Sequence, residues 1–241
     1  MMNCDPVTGA CVVPELNTAT NTTPERLRQD LAVHYVGDPM CSWCWGISPT
    51  VKRLEAFCAD EGIAFSLTMG GLRAGGSDPW SPQFKDYLRN EWQHIAHVTG
   101  QPFGFTLLDA AEFNYDTEPA CRAIATVKLL QAKHALPKSV VLTFFSAVQQ
   151  KFYVAGQDTT EVDFYADICA AVGLNVAEFT ALFDSAEAKQ AVHQEFVRCR
   201  QWGVRSFPTI LLERNGEISP LAVGMVHADQ LLTTLKHEIA A

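Results

Sequence analysis

Apolar and polar positions change period several times along the chain, and the changes divide it. Leu31-Ala32-Val33-His34-Tyr35-Val36 is a short β-prone run that stops at Gly37-Asp38-Pro39. Ile47, Val51, Leu54 and Cys58 then follow a helical period, which Gly62 is placed to end. Ile63, Phe65, Leu67 and Met69 alternate with Ala64, Ser66 and Thr68, and the alternation predicts a strand. Strand, helix and strand within roughly forty residues make a βαβ unit, with parallel strands and a right-handed crossover.

From residue 77 to residue 202 the pattern is helical throughout. Phe84/Tyr87/Leu88/Trp92/Ile95, Cys121/Ile124/Val127/Leu130 and Val141/Phe144/Phe145/Val148/Phe152 each form one apolar face. Val162/Tyr165/Cys169/Val172, Phe179/Leu182/Phe183 and Val192/Phe196/Cys199 continue the series. Pro119 suits a first turn, and Asp158, Asn175 and Ser185 read as N-caps. Strand character returns at Thr209–Glu213. Asn215-Gly216 is a favoured hairpin turn, and Ile218–Val223 is the partner strand, marked as an edge by Pro220. A last helix covers about residues 229–239. The chain therefore reads as a loose tail over 1–30, an α/β unit over 31–76 and 203–241, and a helical insertion over 77–202.

Composition narrows the function. The 241 residues carry 18 basic and 27 acidic side chains, a net charge of −9, with no basic stripe of the kind a nucleic-acid binder needs. No apolar stretch approaches the ~18 residues of a membrane span, and the first thirty residues hold no basic segment followed by an apolar one. The expectation is a cytoplasmic chain without nucleic-acid or membrane partners. Its eight cysteines are too sparse for a disulfide scaffold, so close pairs draw the attention.

Cys41-Ser42-Trp43-Cys44 lies where the first strand gives way to its helix. Residues three apart on a helix share a face at about 5–6 Å, within reach of a disulfide. Cys41 would meet the unpaired N–H groups of the first turn, which favour a thiolate. Cys44, one turn further in, would be buried and less ionised. The chemistry this suits is thiol–disulfide exchange, with Cys41 attacking and Cys44 resolving. A zinc site would need two further ligands, and no second CxxC or HxxxH exists, so no metal is assigned. Gly203-Val204-Arg205-Ser206-Phe207-Pro208-Thr209 adds a proline just before a strand, where a cis peptide is one possible geometry.

Together, Tyr35-Val36-Gly37-Asp38-Pro39-Met40-Cys41-Ser42-Trp43-Cys44-Trp45-Gly46, the helical insertion and Val204–Thr209 resemble the thioredoxin superfamily. Within it, the closest likeness is to DsbA-like thiol–disulfide oxidoreductases of the FrnE-like, cytoplasmic branch. The resemblance implies a thioredoxin fold with an all-helical insertion, acting as an oxidoreductase or isomerase on protein disulfides. It implies a cis Pro208 beside the Cys41–Cys44 sulfurs, with Phe207 offering backbone groups to an extended substrate. It also implies that Asp116–Ala123 turns a polar helix start toward the site. Protein or peptide thiols are the implied partners, with glutathione as a candidate co-substrate and no other cofactor. Exported members carry a histidine between the cysteines; Ser42-Trp43 does not supply one, so the direction of electron flow stays open.

Other residues carry weaker assignments. Cys4 and Cys11, six residues apart around Pro6 and Gly9, are candidates for a second redox pair, with unpaired tail thiols as the alternative. Asp38 suits a cap or a charge that tunes Cys41, capping being the simpler role. Trp43 and Trp45 are candidates for an apolar substrate platform, with packing as the alternative and Trp43 expected to be the partly exposed one. His34 faces either the core or the site. Cys58, Cys121, Cys169 and Cys199 lie on apolar stripes and read as core. Two other functions compete. Glutathione-dependent kappa-type transferases and 2-hydroxychromene-2-carboxylate isomerases share the outline but carry serine where Cys41 stands. A metal-binding module using Cys4, Cys11, Cys41 and Cys44 is the third reading.

Overall fold

A computed structural model of the chain describes residues 30–76 and 78–240, together with the backbone alone of 3–4 and 11–12. Two short strands, β1 (Asn3–Cys4) and β2 (Cys11–Val12), pair antiparallel with Cys4 opposite Cys11. The cysteine side chains of that tail pair lie outside the described residues.

The main sheet holds four strands in the order β4-β3-β5-β6. β3 (Leu31–Gly37) runs parallel to β4 (Ala64–Met69), as the βαβ reading requires, and antiparallel to β5 (Thr209–Arg214). β6 (Glu217–Val223) pairs with β5 across a turn in which Asn215 and Gly216 both take positive φ, 52° and 84°. That is the primed geometry an Asn-Gly pair favours. Pro220 does lie on the edge strand, at a register irregularity where a missing N–H interrupts nothing in the interior.

Period-2 alternation sorts the strand residues between two faces. Val33 and Tyr35 join the large core, while Val36 joins a smaller cluster with Cys199, Val204 and Leu211. Between β4 and β5 lie α3 (Pro82–Thr99), α4 (Glu118–His134), α5 (Ser139–Tyr153), α6 (Ala166–Ala171), α7 (Val176–Phe183) and α8 (Ala186–Gln201). The chain ends on α9 (Ala228–Ala240). Among the described residues, the stretch from α3 to α8 contains no strand. Asn175 and Ser185 cap α7 and α8 through Glu178 N and Ala188 N. Asp158 is not a helix cap: its carboxylate accepts from the N–H and hydroxyl of Thr160 in a tight turn, followed by a 3-10 turn at Val162–Tyr165. The side chain is better satisfied by the local Asx-type turn than by a helix end.

The insertion is fastened to the sheet at one place in particular. β4 is an edge strand, so its outward N–H and C=O groups need partners. Glu195 of α8 accepts from Met69 N at 2.7 Å, and Lys128 of α4 donates to Leu67 O at 2.5 Å. Lys128 and Glu195 also pair with each other at 2.7 Å. Two side chains thus complete the strand edge in the way a fifth strand would.

The CxxC helix differs from the sequence expectation. Instead of opening one long helix, it forms α1 (Ser42–Gly46), separated at Ile47 from α2 (Ser48–Asp60). The cause is Pro49. A continuous helix would need its N–H to bond Trp45 O, and proline has none. The freed Trp45 carbonyl accepts from Gln101 Nε2 at 3.0 Å, and the same amide reaches Ser48 Oγ at 2.7 Å.

Candidate active site

β3 delivers the chain to the site. After Gly37, a turn closed by Cys41 N donating to Asp38 O at 3.1 Å leads into α1. Cys41 occupies the N-cap position with extended backbone, φ −88° and ψ 116°, so its side chain stands at the open end of the helix. Cys44 follows one turn in. Both are free thiols; Cys41 keeps 4% of its surface and Cys44 none. The two sulfurs interact with each other, and burial pushes the Cys44 thiol well above its usual range. α1 has five residues, so the dipole available to Cys41 is that of a single short turn rather than of a long helix.

Across from Cys41 lies the segment before β5. The Phe207–Pro208 peptide is cis, and Cys41 Sγ sits 3.7 Å from Phe207 O. Pro208 is buried, Phe207 is half-buried, and Arg205 and Ser206 are exposed. Pro208 O accepts from Gly224 N at 2.8 Å, which ties the turn to the residue that follows β6. Trp43 is half-exposed on the outer side of α1 and meets the His94 ring edge-on at 5.8 Å. Trp45 is buried, with its indole N–H on Pro102 O at 2.9 Å, and serves packing.

Asp38 does not cap α1. No side chain caps that helix, and the Asp38 carboxylate is spent on other groups. It accepts from Met40 N at 2.9 Å and Leu72 N at 2.7 Å, and the Cys121 thiol lies 3.4 Å away. The carboxylate is fully buried, and burial raises its affinity for a proton despite those donors. Cys121 was assigned to the core; it is buried, but it also borders the site through this contact. Cys58, Cys169 and Cys199 are buried in apolar surroundings. His34 points away from the site, held between Ser66 and Glu213 at 2.7 Å each and packed on Trp202.

The loop after β4 forms a third wall that the sequence reading passed over. Thr117 Oγ1 accepts from Arg73 N at 3.1 Å and Asp116 Oδ1 from Gly75 N at 2.8 Å, so the start of α4 does face this loop. Leu72, Arg73, Ala74, Gly76 and Asp78 line a cavity of about 400 Å³. Arg73 pairs with Asp78 and covers the Phe84 ring. Tyr115 was also missed; its hydroxyl bonds Met40 O at 2.8 Å and steadies the turn before Cys41. Four glycines in Gly70-Gly71-Leu72-Arg73-Ala74-Gly75-Gly76, directly after a strand, were the available signal for a close backbone approach.

No group of three or more potential metal ligands exists among the described residues, and no helix among them is long and apolar enough to cross a membrane. Similarity to known proteins agrees with the geometry. A provisionally named protein disulfide isomerase from Nitrosomonas europaea is 29% identical, with a TM-score of 0.75 over 88% of this chain and 98% of that one. The cytosolic disulfide reductase DsbM from Pseudomonas aeruginosa, also solved with GSH, shares the fold. In its structure without GSH the identity is 24% and the TM-score 0.70, over 87% of this chain and 98% of that one. The ClpXP adapter protein SpxH of Halalkalibacterium halodurans is 22% identical over 87% of this chain and 66% of its own length. The present chain thus spans just under two thirds of that relative. With residues 32–236 matching the family described as the DSBA-like thioredoxin domain, the chain belongs to that family.

Proposed function

We propose that this chain is a thiol–disulfide oxidoreductase acting on protein or peptide disulfides, with Cys41 as nucleophile and Cys44 as resolving thiol. One observation carries the reading: the Cys41 sulfur, at the cap of α1, lies 3.7 Å from the Phe207 carbonyl, in front of a fully buried free Cys44. An extended substrate segment bonded to the Phe207 backbone would bring its disulfide to that sulfur.

In the reducing direction the Cys41 thiolate attacks a substrate disulfide, forming a mixed disulfide and releasing one substrate thiolate. Cys44 then attacks Cys41, breaking the mixed disulfide; its proton passes to the second substrate sulfur, and the pair is left oxidised. Pro208 shapes the groove and half-exposed Trp43 forms its outer lip. Glutathione, a peptide thiol that the DsbM neighbour was solved with, is the co-substrate class we assign. A cytoplasmic setting goes with this reading, in line with the DsbM neighbour, which is named as cytosolic. Cys4 and Cys11, opposite each other in the β1–β2 register, are proposed as a second pair exchanging with the first.

Insulin reduction and capture test the reading. Cys41→Ser abolishes turnover and Cys44→Ala accumulates mixed disulfides; normal reduction by Cys41→Ser would overturn it. The relatives named as ClpXP adapters supply a second reading, an adapter that needs a binding surface and no sulfur exchange. Full function of Cys41→Ser in a proteolysis assay, without thiol turnover in the wild type, would favour that role.

A further inference from the structure

The Tyr35 hydroxyl, like that of Tyr153, is a buried polar group left unsatisfied beside the site. Tyr35 is 1% exposed, yet its hydroxyl makes no hydrogen bond of ordinary geometry. A buried hydroxyl without a partner is unfavourable, and phenylalanine would fill the same space without that cost. Tyr35 and Gly37 are two apart on β3 and so share a face. A Cβ on Gly37 would fall 2.8 Å from the Tyr35 ring and hydroxyl, so the phenol lies over the end of the strand, toward α1. There it neighbours Cys44, whose other neighbours are the Cys41 sulfur and the backbone of Asp38.

We propose that Tyr35 is a positioning residue for the resolving step: its hydroxyl, which lies beside Cys44 in the resting dithiol without a hydrogen bond of ordinary geometry, donates to the Cys44 sulfur as that sulfur gives up its proton. The inference rests on the dithiol reading and adds to it the group that makes buried Cys44 usable. A contact that strengthens as the sulfur acquires negative charge accelerates the step it serves. The overall change is balanced: the Cys41–substrate bond breaks, the Cys41–Cys44 bond forms, and the proton of Cys44 ends on the departing substrate sulfur. Tyr35 keeps its own proton throughout. The same contact supports the idea from another side, since the Tyr35 hydroxyl works against the burial that holds Cys44 protonated. The titratable side chains acting on Cys44 are Cys41 and Tyr35, and the Asp38 carboxylate acts on Tyr35 in turn.

The test uses the full chain with Cys4 and Cys11 changed to serine and a nitrobenzoate disulfide whose thiolate is coloured. Wild-type protein releases one thiolate when Cys41 attacks and a second when Cys44 resolves. Tyr35→Phe is expected to leave the first phase unchanged, slow the second about tenfold at neutral pH, and move its pH midpoint to the alkaline side, with the deficit closing at high pH. Its thermal stability should equal or exceed that of the wild type. A second phase unchanged across the pH range would overturn the role of Tyr35, as would equal slowing of both phases. Loss of the first phase in Cys41→Ser checks the dithiol reading separately.

Discussion

The ring of Phe207 occupies the space that a side chain at Gly70 would need: a Cβ built there would lie 2.1–2.8 Å from three atoms of that ring. The loop after β4 and the turn before β5 are therefore matched to each other, and the carbonyl facing Cys41 is set by a residue with no side chain. Gly70→Ala should displace Phe207, cost about 1–3 kcal/mol of stability and reduce insulin reduction. Its effect on turnover should exceed that of an alanine substitution at exposed Gly75, where a Cβ would meet open space and the cost is that of a positive φ of 94° in a loop. Chemical denaturation and the reductase assay on both variants check this.

Gln101 replaces the helix bond that Pro49 cannot make. Gln101→Ala leaves the Trp45 carbonyl, one residue past Cys44, without that donor. A loss of about 1–3 kcal/mol is expected, read as a lower denaturation midpoint with an unchanged m-value.

The Lys128–Glu195 pair holds α4 and α8 against β4. Glu195→Ala strands a largely buried ammonium and deprives Met69 N of its acceptor. A loss of about 3 kcal/mol is expected, with faster hydrogen exchange at the Met69 amide. The milder result should come from replacing both residues by leucine and methionine, since no charge is then left unpaired.

Asp38 links stability to pH. Its folded affinity for protons exceeds the unfolded one, so the native state binds more protons once pH passes the ordinary carboxyl value of 3.8. Its contribution is present below that value and declines as pH rises through the higher folded value. Wild type should accordingly lose melting temperature relative to Asp38→Ala as pH is raised from about 4. A constant difference between the two melting curves would refute the linkage.

Cys44 and Cys121 should resist alkylation at neutral pH. Both are fully buried, and burial holds their protons. Mass-spectrometric mapping after brief iodoacetamide treatment should find both unmodified, with modification appearing as the pH is raised.

Much of the fold was legible because it depends on near neighbours in the chain. Alternation over Ile63–Met69, the Asn215-Gly216 turn, the caps at Asn175 and Ser185 and the edge position of Pro220 each follow from local conformational preference. The Cys41/Cys44 spacing and a proline before β5 belong to the same class, which is why the two sides of the site were named without coordinates.

The sequence by itself determined the order of elements and the placement of Cys41 and Cys44 at the start of α1. Tertiary structure alone decided what surrounds them. Asp38 meets Cys121 across 83 residues and Met69 meets Glu195 across 126, and no local rule selects such partners. Asp38 read as a cap because capping is the commonest local use of an aspartate before a helix. In the folded chain two backbone N–H groups, from Met40 and Leu72, claim its carboxylate instead. Buried polar groups take whichever partners packing places within reach, and only the complete fold settles which those are.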